Sequence, residues 1–170
     1  MKAFTLIVAL LNLVLFTGAC NAKDGVATKI QLEGGISLVF EEAAYNRGTD
    51  IPTDCGGGFI CLINNQPFWG SDGKLPVTKL EKATVRIKAA EITLDTSGMY
   101  DPVISSDRKA QYKVVHYYGD TWKVSGHFSD GAGAYFAEWL VTKTGSIRIL
   151  VGDSELLYDA FDSLFGERKE

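Results

Sequence analysis

"YKVVHYYGDTWKVSGHFSDGAGAYFAEWLVTKTGSIRILV", residues 112 to 151, decides the fold class of this chain. Tyr112, Val114, His116 and Tyr118 alternate with other residues up to Gly119-Asp120, and Trp122, Val124, Gly126 and Phe128 alternate up to "SDGAG". Tyr135, Ala137, Trp139 and Val141 repeat the pattern up to "KTG", and Ile147, Ile149 and Val151 close it. A period of two broken by glycine-bearing turns is the mark of antiparallel strands joined by hairpins. The stretch therefore predicts a four-stranded antiparallel meander.

Upstream the same period recurs. Residues 28 to 32 and then Ile36, Leu38 and Phe40 flank Gly34-Gly35 as a first hairpin, and "FICLINN" reads as a short apolar strand. In "ATVRIKAAEITLD", Val85, Ile87 and Ala89 share one face before Ile92 and Leu94 change phase, which predicts a bulge or turn at Ala89-Ala90. Segments 43 to 54, 96 to 109 and "WGSDGKLP" read as irregular loops. After the meander the period changes. In "DSELLYDAFDSLFG" the apolar residues fall at 156, 157, 160, 161, 164 and 165, one face of an amphipathic helix over about 153 to 165, with Asp153 or Ser154 as N-cap and Gly166 past its end. The expected class is α+β, predominantly antiparallel β, arranged as a meander, curled sheet or sandwich with this helix against one face.

The chemistry-bearing residues are few. His116 and His127 lie on neighbouring predicted strands without being obvious neighbours, and they are the only two histidines. Most aspartates sit where turns favour them, and no calcium loop, phosphate loop or nucleophile elbow is present. No motif calls for a metal or a cofactor. The aromatic residues are mostly core by their alternation; Tyr45, Trp69 and Tyr100 lie in loops, where aromatic side chains make good protein contacts.

The N-terminus carries the most specific signal. Lys2 precedes the 13-residue apolar run "FTLIVALLNLVLF", residues 4 to 16, and small residues follow, as in a signal peptide. "FTGAC", residues 16 to 20, resembles the lipobox of bacterial lipoproteins, with Thr17 where leucine is usual. The resemblance covers residues 1 to 20. It implies cleavage before Cys20 and acylation of the Cys20 thiol, which puts residues 20 to 170 in the periplasm; length and composition make that remainder a single domain. Asn21 in place of the retention-associated aspartate implies the outer membrane, facing the periplasm. Cleavage by an ordinary signal peptidase remains the alternative, and it would leave a free thiol. With Cys20 assigned to lipid, Cys55 and Cys61 in "DCGGGFIC" are left to pair in an oxidising compartment, a short loop whose bridge contributes about 2 kcal/mol.

Removing residues 1 to 19 takes away Lys2 and no acid, leaving 16 basic against 21 acidic side chains and a formal charge of about −5. That balance argues against nucleic acid as a partner, because phosphate binding needs clustered Lys and Arg. A small acidic lipoprotein without catalytic motifs resembles, in general character, periplasmic immunity proteins and inhibitors of secreted toxins or hydrolases. The expectation is a protein-binding module with Asp54, Trp69, Asp72, Tyr100 and Asp130 as candidate contact residues. The alternatives are an envelope enzyme or assembly factor built on Glu41, Asp72 or Asp101, and a structural lipoprotein.

Overall fold

The computed structural model describes residues 25 to 157. Eleven strands form three antiparallel sheets among these residues: β1 (Val26–Gln31), β2 (Ser37–Ala44), β3 (Pro52–Asp54), β4 (Ile60–Ile63), β5 (Gln66–Pro67), β6 (Thr78–Ile87), β7 (Ala90–Leu94), β8 (Tyr112–Tyr118), β9 (Thr121–Phe128), β10 (Tyr135–Val141) and β11 (Ser146–Asp153). The first sheet has the order β1-β2-β6-β7 and the second β8-β9-β10-β11; β3, β4 and β5 make a small third sheet inserted between β2 and β6. Both larger sheets bury one face in a shared core. Ile30, Leu38, Phe40, Ala83, Val85 and Leu94 come from the first, and Tyr112, Val124, Phe128, Tyr135, Ala137, Trp139 and Val141 from the second. The architecture is a β-sandwich.

Phe128 is the point where the layers meet. Its ring stacks on Tyr135 at 5.3 Å and meets Tyr112, Phe40 and Trp139 edge-on at 5.6, 5.7 and 6.2 Å between centroids. Phe40 comes from the opposite sheet. Gly126, two residues earlier on the same face, leaves the room for this packing: a Cβ there would lie 2.7 Å from the Phe128 ring and 3.2 Å from Tyr112.

The expected meander is present at all four strands, with one correction. Ile147 and Ile149 do not continue the core face, and Ile147 is 63% exposed. Trp139 pairs with Arg148 while Glu138 pairs with Leu150, so Ile149 is an extra residue and the phase of β11 flips. Arg148 thereby points inward, its side chain 14% exposed. It donates to the Ser97 carbonyl at 2.6 Å and Oγ at 3.1 Å, and pairs with Asp95 at 3.4 Å. Trp139 Nε1 donates to the Asp95 carbonyl and Ser146 Oγ to the Thr93 carbonyl, which closes the seam between the β7 and β11 edges. Burial raises the pKa of the Asp95 carboxyl, but the Ser97 hydroxyl and backbone N–H and the Arg148 guanidinium outweigh it and hold the group below its ordinary value.

Other expectations differ locally. Ala89 lies in the two-residue turn between Ile87 and Ala90, so the phase slip is a hairpin turn. Segment 43 to 54 is not wholly irregular, because β2 runs to Ala44 and β3 begins at Pro52; three residues are too few to show a period. Residues 154 to 157 form a helical turn, capped by Asp153 Oδ1, which accepts from the backbone N–H groups of Glu155 and Leu156 at 2.8 and 3.1 Å. Residues 158 to 165 of the expected helix lie outside the described residues, as do residues 1 to 24.

Phe128→Ala is expected to cost about 3–5 kcal/mol, read from chemical denaturation, because it removes the ring that four others pack on. Burial also pushes the Tyr112 phenol up to about 12 and that of Tyr135 well above its ordinary value, and neither hydroxyl has a hydrogen-bond partner among the described residues. Both phenols are therefore held neutral in the fold. The stabilising contribution of the Tyr112 phenol is complete below pH 10, the ordinary tyrosine value, and is lost as pH rises through about 12; that of Tyr135 is lost on the alkaline side in the same sense. Tyr112→Phe should leave stability near neutral pH almost unchanged and move the midpoint of alkaline unfolding upward, as followed by circular dichroism.

Candidate functional site

The insert between β2 and β6 is braced from within. Cys55 and Cys61 form a disulfide with Cα atoms 5.9 Å apart. Asp54, expected as a contact residue, instead organises the loop inside the bridge: its carboxylate accepts from the N–H of Gly56 at 2.7 Å and of Gly58 at 3.2 Å. Asn64 and Asn65, both at positive φ, make the tight turn into β5.

The insert is tied to the sandwich by segment 98 to 101. Trp69 N–H donates to the Gly98 carbonyl and Tyr100 N–H to the Trp69 carbonyl, both at 2.9 Å, while Leu80 N–H donates to the Met99 carbonyl at 3.0 Å. Gly70 sits in the tightest part of this junction, at φ +109°. A Cβ there would lie 1.7 Å from the Tyr100 carbonyl oxygen. Gly133 approaches from the other side, where a Cβ would lie 2.8 Å from the Gly70 carbonyl oxygen.

Two depressions flank this junction. The first, about 280 Å³, is lined by Phe68, Trp69, Ser97, Tyr100 and Arg148 among others. Trp69 is half-buried against the core, and the Arg148 guanidinium, already bonded to Ser97 and Asp95, lies 6.0 Å from its ring centroid. Phe68 and Tyr45 both meet Tyr100 edge-on, at 5.7 and 5.4 Å. Burial, followed by the charge of Asp50, raises the pKa of both Tyr45 and Tyr100. These aromatics are engaged with one another and with the fold.

The second depression, about 290 Å³, gathers Asp72, Asp101 and Asp130 with Leu75, Val77 and Val103. Six residues other than glycine have positive φ among the described residues. Asn64, Asn65 and Lys88 are hairpin-turn residues. The other three, Asp101 at +38°, Val103 at +47° and Ser129 at +63°, all line this cleft. A β-branched residue in the left-handed region is an outlier, and such strain, of order 1–3 kcal/mol per residue, persists only where surroundings fix it and concentrates at functional sites. Here the fixing bonds are explicit. Asp101 Oδ1 accepts from the N–H groups of Val77 and Thr78 at 2.9 and 2.7 Å, Asp101 N–H donates to the Thr78 carbonyl, and Ser129 N–H donates to the Pro102 carbonyl at 2.8 Å.

Thus the structure brings Asp72 and Asp130 to one cleft and Trp69 and Tyr100 to the neighbouring one, and sets Asp54 beside the disulfide loop, bonded to its backbone. Glu41 is separate, ion-paired with Lys82 across the sheet at 3.2 Å. His116 contacts the Gly119 carbonyl and the edge of Trp122, and His127 pairs with Phe136 on another strand. Among the described residues no three His, Cys, Asp or Glu side chains converge on a position that could hold a metal ion, and no helix is long and apolar enough to cross a membrane. The sequence offers Asp101 only as a carboxylate for the enzyme alternative, and it carries no signal for Leu75, Val77 and Val103 as an apolar wall. Comparisons with protein families, curated proteins and solved structures find no match.

Gly70→Ala is expected to destabilise the protein by roughly 3 kcal/mol or more, since both the φ and the carbonyl contact must give way. Gly57→Ala, at φ +66° in open space, should cost only about 1 kcal/mol. Thermal melts of the two variants make the comparison.

Proposed function

We propose that this chain is a membrane-anchored lipoprotein, acylated at Cys20, whose sandwich acts in the periplasm as a protein-binding module of the immunity or inhibitor kind. The observation that carries the binding reading is the convergence, on one cleft, of strained backbone, carboxylates and exposed aliphatic side chains. Val77 is 75% exposed, and Leu75 and Val103 are also open to solvent. Ile51 and Phe59 add two more exposed apolar side chains on the disulfide-braced insert. Exposed apolar groups held on a rigid frame lose little entropy on association, which favours tight contact with a partner. The lipobox-like "FTGAC" supports the anchor and the absence of aspartate at position 21 supports the outer membrane. The apolar residues at 156, 157, 160, 161, 164 and 165 support an amphipathic helix following β11 as part of this reading.

Two measurements test this reading. Cells fed labelled palmitate should yield a labelled, membrane-bound protein, and Cys20→Ser should abolish both properties; an unlabelled wild type refutes the anchor. Cross-linking in envelope extract should recover a stoichiometric protein partner, at least tenfold less of it with Val77→Ser or Asp72→Ala, both exposed positions whose loss leaves the fold intact. Capture unaffected by both substitutions would remove the cleft from the binding surface.

A further inference from the structure

Resting on the protein-binding reading, we infer that the cleft between residues 70–77, 101–103 and 129–133 takes a long basic side chain, lysine or arginine, projecting from the partner. Its lining chemistry, aliphatic side chains beside carboxylates, matches an aliphatic stem ending in a cation. Leu75, Val77 and Val103 supply apolar wall, and Asp72, Asp101 and Asp130 supply three carboxylates. A basic side chain lays its methylene stem on apolar surface while its charged head stays with water or an acid.

Two of the carboxylates, Asp72 and Asp130, are not consumed by the fold. Asp72 has no ion-pair or hydrogen-bond partner among the described residues. Asp130 faces Arg108 across a loose 3.6 Å contact, with its side chain 67% exposed. Asp101 is bonded through Oδ1 alone. The cations at the cleft are Lys74, which lines it, and Arg108 beside Asp130, so acid remains in excess. The whole chain is acidic as well, at −4 over its full length, and will attract a basic partner at long range. Backbone strain at Asp101, Val103 and Ser129 adds fixed geometry: the cleft's rims are set before a partner arrives, so little ordering cost falls on the complex.

The test uses the full chain in detergent, isotopically labelled, and four blocked tripeptides, acetyl-Gly-X-Gly-amide, with X arginine, lysine, citrulline or norleucine. The arginine and lysine peptides should give saturable amide shifts at Gly70, Ser71 and Gly133, with the citrulline and norleucine peptides at least tenfold weaker. Combined Asp72→Asn and Asp130→Asn should reduce the arginine affinity at least tenfold without lowering the melting temperature. Equal binding of the norleucine or citrulline peptide, or charge-dependent shifts spread over the whole surface, overturns the basic-side-chain assignment. That failure is distinct from failure of the partner-binding reading, which is judged by the cross-linking result alone: a partner captured through Val77 with no preference among the peptides would sink only the present inference.

Discussion

The packing of Phe40 against Tyr112 and Phe128, at 5.1 and 5.7 Å, is the interaction on which the rest depends, because it joins two four-stranded sheets whose strands do not pair with each other. A four-stranded meander has one apolar face, and two such faces become stable only against each other. The rings of Phe40, Tyr112, Phe128, Tyr135 and Trp139 fill that interface with large, rigid area, for which burial of apolar surface is the dominant favourable term. Tyr112 and Tyr135 carry hydroxyls into this interior, where burial disfavours their ionised forms. The position of Trp139 also carries the packing outward, since its indole N–H reaches the Asp95 carbonyl at the β7–β11 seam.

That seam shows how an irregularity becomes useful. A regular β11 would place Ile147 and Ile149 inward and Arg148 in solvent. The bulge reverses them, and the guanidinium then links Asp95 and Ser97 of one sheet's end to the edge strand of the other. Arg148 also reaches Trp69, so the same side chain connects the seam to the insert.

Strands were readable in the sequence wherever five or more residues alternated, as over Trp122 to Phe128 and Tyr135 to Val141, because the pleat sends alternate side chains to opposite faces. The phase of β11 was not, since "SIRILV" alternates aliphatic residues in either register until its partner strand is known. Asp72 and Asp130 could be named as loop acids, but their meeting depends on two glycines, Gly70 and Gly133, that let three backbone segments converge. Positive φ at Val103 has no sequence signal at all, because it is imposed from outside through Pro102, Ser129 and Thr78. The disulfide was legible from spacing. The turn-forming role of Asp54 carries no sequence signal of its own, because a turn-forming aspartate and a contact aspartate look alike in a glycine-rich run.

The pairing of Val26 with Glu42 has a geometric consequence. Glu42 accepts from the Thr78 hydroxyl at 2.6 Å, and Thr78 is held by Asp101, so β1 begins at the end of the sandwich that bears the cleft. With an acyl chain on Cys20, six peptide steps separate the bilayer surface from Val26, a reach of at most about 20 Å even when fully extended. The cleft end would then hang close over the lipid headgroups and the opposite end of the sandwich would face away. A partner would meet this protein in the thin layer beside the membrane, arriving sideways along it, and a longer leash between Cys20 and Val26 would change which partners can reach the cleft without altering a single contact within it.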